Sequence, residues 1–377
     1  MKKILDYEDM LNILNSFNKN IKKQEPIGKT KFGCEINHYT YGNGEKHVII
    51  TAGTHSVELI SINLVLEFMR KLENKEINIK PDEYTLHFIP IVNPEGTIIV
   101  TSAIRTLIKK EVTEEEEQRI CIQYYLNAKL DDKYANDYNN RYEKLHHLMF
   151  QNATSECIPD KYKELKKNIK KIVKENKLPI GCLIDWSNNG NGIDLNSNVE
   201  TGRYFDEIKD NKSIYMELRF NTLDLTKPGP IGRPFEGNEF KYELENRAIL
   251  EFYKKLKEKS NVVASFIYHA CGGLVYYLEK QEQENPWDKE YNYYEYNKKV
   301  AEIYSKTSDY KMIQSHGYTT LDTKLMTMVP GTLLIELSKI RANPLSQFIE
   351  NNKIVKEGYT ATINSNIEAL IKTINNI

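Results

Sequence analysis

Apolar positions fall into two spacings along this chain. Helical spacing comes first, with Ile4, Leu5, Leu11, Ile13, Leu14 and Phe17 tracing one face over residues 3–20. Ile60, Leu64, Phe68 and Leu72 recur every four residues and predict a helix over 56–72. Similar patterns predict helices over 242–257 and 289–308, and a closing helix over 345–374. The second spacing is the continuous apolar run. His47 to Ala52 (HVIITA), Tyr84 to Val92, Val262 to Tyr268 (VVASFIY), Leu274 to Leu278 and Thr332 to Leu337 (TLLIEL) predict buried strands. Glu35 to Tyr41 reads as a further strand, and Gly42-Asn43-Gly44 as a turn, which makes 35–52 a hairpin. Asn93-Pro94-Glu95-Gly96 reads as a turn closing the 84–92 strand. Gly192 to Asn198 (GIDLNSN) reads as a short strand with a polar exit, and 227–234 as a loop.

Strands separated by helices, built from runs rather than clean alternation, predict an α/β fold: a mixed, mostly buried twisted sheet with helices on both faces. From about Thr101 to Lys177 the character changes. Glu114 to Glu117, Lys166-Lys167 and Lys170-Lys171 sit there without a β-rich run, which reads as surface helices. We therefore expect a single domain over 1–377 with a helical insertion at 101–180, the alternative being a separate small domain there. A length of 377 residues allows either, since one domain takes about 150 residues on average and α/β enzymes run longer.

Charge narrows the function classes. The 52 basic and 53 acidic residues give a net charge of -1, so nothing points to nucleic acid or an anionic membrane as partner. No stretch of about 18 apolar residues occurs, so no membrane span is expected. The N-terminal Lys2-Lys3 resembles the start of a signal peptide, but Asp6, Glu8 and Asp9 occupy the place of its apolar core. Cys34, Cys121, Cys157, Cys182 and Cys271 are odd in number and form no CxxC pair, which suits free thiols in a reducing cytoplasm.

Three places carry candidate chemistry. His55-Ser56-Val57-Glu58 follows a buried strand and opens a helix, and its imidazole and carboxylate are zinc donors. Alone the pair is weak, because a turn histidine beside a helix-start glutamate is commonplace. His269 ends the Val262 to Tyr268 run ahead of Gly272-Gly273. Strand ends in α/β sheets gather functional groups, although a satisfied core histidine is the commoner occupant. Glu336 stands inside the apolar run LLIEL, where a carboxylate is costly unless paired or functional. Burial there raises its pKa toward what a general base needs, unless it faces solvent or a lysine.

Taken in order, these pieces resemble the carboxypeptidase A-like family of zinc metallopeptidases. Ile27-Gly28-Lys29 through Gly33 and the strand after it look like that family's entry hairpin, and Gly53 to Glu58 like its first metal motif. Pro90-Ile91-Val92-Asn93-Pro94-Glu95-Gly96 is close to its P-x-x-N-P-[DE]-G turn, and Gly192 to Asn198 is similar to its G-V-D-L-N-R-N segment. His269 and Glu336 look like its third ligand and its catalytic glutamate. The resemblance implies one zinc per chain held by His55, Glu58 and His269, with water in the open position and Glu336 as base. It also implies that Asp194 hydrogen-bonds a ligand histidine, and that the substrate is a peptide or peptide-like small molecule.

The departures are equally specific. The family's Asn-Arg pair, which fixes a terminal carboxylate, reads Asn196-Ser197 here. No Lys or Arg lies between Lys177 and Arg203, so the arginine many members place upstream is missing too. Val57 stands where many animal members have arginine, and Cys271 where bacterial relatives often have tyrosine; a buried thiol is the plain role for it, a fourth ligand the bolder one. Asn196, Tyr318 and Arg203 are the candidate substrate-binding residues. Tyr310 is a second candidate for the family's mobile tyrosine, and Arg219, Arg233 and Arg341 are further candidates for the clamp. Three readings follow: a metallopeptidase acting on short peptides with carboxypeptidase or cell-wall-peptide specificity, an amide hydrolase that needs no terminal carboxylate, and a zinc-bound binding module.

Overall fold

The computed structural model describes residues 3–134, 145–200, 240–280, 285–315, 318, 320–340 and 344–377. Its main sheet has eight strands: β1 (Ile21–Lys23), β4 (Tyr39–Tyr41), β5 (Lys46–Ala52), β6 (Tyr84–Ile89), β7 (Asn261–Ala270), β8 (Leu274–Leu278), β9 (Lys311–Ser315) and β10 (Thr332–Leu337). They lie in the order β1-β4-β6-β5-β7-β10-β8-β9. The central four are parallel, β4 and β8 join antiparallel on either side, and β2 (Gly28–Lys29) with β3 (Glu35–Ile36) forms a separate ribbon.

The continuous apolar runs have a direct cause. Successive strand residues point to opposite faces, and both faces are covered. Val48, Ile50 and Ala52 of β5, Phe266 of β7 and Leu333 of β10 enter the larger core, with helices α1 (Tyr7–Ser16), α2 (Leu59–Glu73) and α3 (Pro94–Arg105). Ile49, Ile267 and Leu334 enter the core on the other face, with α7 (Leu244–Lys259) and α9 (Leu321–Met328). Among the described residues the remaining helices are α4 (Glu114–Tyr134), α5 (Leu145–Leu148), α6 (Lys163–Glu175), α8 (Tyr294–Ser308) and α10 (Tyr359–Ile374). The mixed sheet with helices on both faces is the expected fold class.

Local expectations fail where tertiary pairing overrides them. Residues 35–52 do not form a hairpin. β6 lies between β4 and β5, and the Gly42-Asn43-Gly44 turn bonds to the segment entering β6, with Asn43 N donating to Pro81 O at 2.7 Å and Lys46 N to Glu83 O at 3.1 Å. β5, at the centre of the sheet, pairs in parallel with β6 and β7, and its sequence-adjacent neighbour β4 pairs with β6 instead. Residues 35–41 split between two sheets as β3 and β4. Asn93-Pro94-Glu95-Gly96 opens a helix: Asn93 caps α3, accepting from Gly96 N at 2.9 Å, with Pro94 as its first residue. Residues 192–198 form turns, because Asp194 Oδ1 accepts from Asn196 N at 2.9 Å and Ser197 N at 3.3 Å, in competition with a strand ladder. The closing helix starts at Tyr359, and 227–234 lies outside the described residues.

A chain of three histidines runs from His38, just before β4, through His87 of β6 to His47 of β5. His87 Nδ1 is 3.1 Å from His38 Nε2, and its Nε2 is 2.8 Å from His47 Nδ1, with the rings stacked. Burial depresses His38 to about 4 and His87 to about 3, the latter helped by its two neighbours. Folded values below the ordinary 6.5 mean that this contribution is complete above pH 6.5 and is lost as pH falls through the folded values. Denaturant titrations between pH 7 and 4 are therefore expected to show wild type losing more stability than His87→Gln as pH falls, the two slopes differing by about one proton. Equal slopes in the two proteins would contradict this.

Candidate functional site

The candidate residues converge at the C-terminal ends of the central parallel strands. His55 lies in the loop leaving β5, and Glu58 stands immediately before α2. The helix starts three residues later than its periodicity predicts, because 55–58 is drawn into that loop. Ser56 N donates to Ser187 O at 3.2 Å, and Ser56 Oγ donates to Trp186 O. Asn93 joins the same strap, donating to Thr54 O at 3.2 Å and Asn188 O at 3.1 Å. Gly96 is required by that closeness, since a Cβ there would lie 2.4 Å from Asn188 O. His269 lies near the end of β7, and Glu336 of β10 is its direct neighbour in register.

His55, Glu58 and His269 offer ligand atoms that all lie within 4.8 Å of one another. His55 Nδ1 is 2.9 Å from Glu58 Oε1, and His269 Nδ1 is 2.8 Å from Glu58 Oε2. Each imidazole has a carboxylate behind it: His55 Nε2 lies 3.2 Å from Asp194 Oδ1, and His269 Nε2 lies 3.3 Å from Asp322 Oδ2. Glu58 Oε2, His269 Nε2 and both oxygens of Asp322 are nonetheless buried without a completed hydrogen bond. Two imidazoles converge on one carboxylate, whose Oε1 is hydrogen-bonded to His55 while its Oε2 is left without a completed bond; this is the donor set of a zinc ion, and a cation is what the orphaned oxygens lack.

The electrostatics point the same way. Burial opposes charge on His55, yet Glu58 and Asp194 raise it to about 10. Burial likewise opposes the charge on Glu58, which the two imidazoles hold down at about 2. His269 is raised against its burial by Asp322 and Glu58. Burial first, and then the Glu58 charge, push the Glu336 carboxyl up to about 8. This pocket collects carboxylates around two imidazoles and calls for positive charge.

Sequence reasoning missed Asp322. In the sequence it is only an acidic residue in the first turn of a helix, which ordinarily complements the helix dipole. Its position depends on Asn196, whose Oδ1 accepts from Asp322 N at 3.2 Å and whose carbonyl accepts from Leu321 N at 2.8 Å. Ser197, at the place of the absent arginine, is buried and turned inward, its Oγ donating to Asp194 Oδ2 at 2.9 Å. Tyr318 is buried in a cluster with Leu278, Tyr291 and Met326, edge-on to Trp287, and Tyr310 is buried in the core. Cys271 does not belong to the converging ligand set. Arg203, Arg219, Arg233 and Arg341 lie outside the described residues.

Partners of ligand histidines fix ring orientation and typically change metal affinity about 10–100-fold. Competition titrations with a zinc chelator are expected to show a loss of that order for Asp322→Ala, and a similar one for Asp194→Ala. An unchanged affinity in Asp322→Ala would leave Asp322 as a packing residue.

Comparison with known proteins adds the following. The family model described as zinc carboxypeptidase matches residues 7–333. No curated protein sequence matches the chain. Among solved structures, bovine thrombin-activatable fibrinolysis inhibitor, in complex with tick carboxypeptidase inhibitor, is similar at a TM-score of 0.51 and 12% identity, over 99% of this chain and 97% of that one. Carboxypeptidase A from Helicoverpa armigera is similar at 0.53 and 11% identity, over 99% and 74%. At such identities the likeness is one of fold.

Proposed function

Because the chain belongs to the zinc carboxypeptidase family, and is thus a zinc-dependent peptide hydrolase, we propose that His55, Glu58 and His269 hold its metal and that Glu336 is its general base. The observation that carries this reading is the convergence of the three ligands beside Glu336, which is in register with His269 on the neighbouring strand. When bound, zinc supplies a Lewis acid that lowers the pKa of water toward neutrality and polarises a carbonyl. Glu336 then takes the proton of the attacking water and delivers it to the leaving nitrogen. Its raised pKa suits both halves of that transfer near neutral pH. Asp194 and Asp322 orient the two imidazoles so that each presents Nδ1.

The substrate we propose is a short peptide, taken with carboxypeptidase or cell-wall-peptide specificity. Asn196 and Tyr318 remain candidates for binding it, and Arg203 for clamping a terminal carboxylate. Residues 101–180 are read as a helical insertion within the catalytic domain. Among the described residues no helix is long and apolar enough to cross a membrane, and we place the protein in the cytoplasm on its five free cysteines. A panel of free peptides and cell-wall peptides, assayed with and without zinc, tests the reading. Absence of zinc-dependent turnover on both sets would sink it. The inward turn of Ser197 favours a second reading, an amide hydrolase that needs no terminal carboxylate. Peptides amidated at the C-terminus separate the two: loss of turnover on amidation supports the first, equal turnover the second.

A further inference from the structure

A second cluster of metal-ligating side chains lies outside this site. His146 and His147, in the short α5, and Asp185, at the end of the 3-10 turn Cys182–Asp185, bring their ligand atoms within 4.8 Å of one another. His147 Nε2 is 2.9 Å and His146 Nε2 3.1 Å from the same oxygen, Asp185 Oδ2. All three residues are buried, at 6%, 2% and 6% exposure for His146, His147 and Asp185. Behind His146, Nδ1 lies 2.5 Å from Asp131 Oδ2, and Asp131 is itself fixed by the backbone N–H groups of Leu145 at 2.8 Å and His146 at 3.2 Å. The Tyr124 hydroxyl donates to Asp185 Oδ1 at 3.4 Å.

The arrangement repeats the logic of the first site: two imidazoles face one carboxylate, and a further carboxylate backs an imidazole. We propose that His146, His147 and Asp185 form a second metal site that takes a divalent first-row transition ion of the zinc type. Without an ion, both Nε2 atoms must act as donors to one oxygen. Since Nδ1 of His146 already faces Asp131, that ring is then a cation in a water-poor interior. With an ion, both Nε2 atoms present lone pairs, both rings stay neutral, and Nδ1–H of His146 donates to Asp131, the arrangement that tunes histidine ligands elsewhere. Imidazole donors select zinc-like ions over calcium and magnesium, which prefer oxygen.

The place of the cluster gives the ion a task. Asp185 is followed directly by Trp186 and Ser187, whose carbonyls hold Ser56 between His55 and Glu58. On the other side, Gly181 (φ 77°) lets that strap run against His147, where a Cβ would meet His147 O at 2.3 Å. An ion here ties α4 and α5 to the strap that shapes the first site. This is a structural role for a buried set, with the fourth position of a tetrahedral ion left to water or a further ligand.

The test counts metal in the full chain. Protein stripped with a chelator, reloaded with zinc and desalted is analysed by mass spectrometry for zinc per chain. The wild type is expected to keep two equivalents, and Glu58→Ala combined with His269→Ala, which leaves the second cluster intact, to keep one. Asp185→Asn and His147→Gln are each expected to keep one. One equivalent in the wild type, none in the Glu58/His269 double variant, or two in a folded Asp185→Asn would overturn the proposal. Should the Asp185 and His147 variants fail to fold, the wild type and the Glu58/His269 variant still decide.

Discussion

Glu336→Gln is expected to reduce kcat on a peptide substrate by about 10³-fold or more, at the upper end of what a positioned proton acceptor contributes. The amide keeps the volume and the half-buried place on β10, so the fold and the zinc content should stay as they are. What is lost is the proton site. The Glu336 carboxyl, raised to about 8 by burial and by Glu58, can hold a proton near neutral pH and release it. The glutamine can do neither. Because the defect lies in a chemical step, it should fall on kcat rather than on KM. Steady-state kinetics beside a zinc determination make the check, and equal activity in the two proteins would remove Glu336 from the mechanism.

His269→Ala is the second large effect, and it should be felt twice. Activity should fall to background together with one equivalent of zinc, a loss on the order of 10⁴-fold given the several kcal/mol a metal supplies to the transition state. The metal-free variant should also be less stable than metal-free wild type, by about 3–5 kcal/mol, the usual cost of removing one partner from a buried charged set. The reason is local: His269 is 1% exposed and stands between Glu58 and Asp322, so its removal leaves two carboxylates facing an empty space. Denaturant titration and zinc analysis check the two halves separately. Retained zinc with lost activity would mean that His269 acts otherwise than as a ligand.

Much of this was legible in the sequence, for physical reasons that differ from element to element. The central strands could be read because both of their faces are buried, which forces uninterrupted apolar runs such as HVIITA and TLLIEL. Their neighbours could not be read. Pairing depends on which strand slides between which, and β6 between β4 and β5 leaves no mark on the local pattern. β1, β2 and β9 are short and carry mixed polar residues, so no periodicity announces them. At the site, His55, Glu58, His269 and Glu336 were visible because they interrupt or terminate apolar runs, and because their order matched a known pattern. Asp322 was not, since an acidic residue at a helix start needs no special explanation. His146 and His147 were passed over for a related reason: a His pair in a short apolar segment needs no special explanation, and their partner Asp185 is nearly forty positions away.

The register between β7 and β10 has a consequence for how this molecule tolerates change. His269 and Glu336 are opposite one another on adjacent hydrogen-bonded strands, so the separation of their backbones is set by the spacing of a parallel sheet, about 4.8 Å. That dimension belongs to the backbone, and no side-chain replacement in the surrounding loops can stretch it. The turn at 196–197 answers to other constraints, the packing of α9 and the anchoring of Asp194. In the proposed reading, the spacing of the reacting groups and the shape of the substrate-side turn are therefore set by different parts of the backbone.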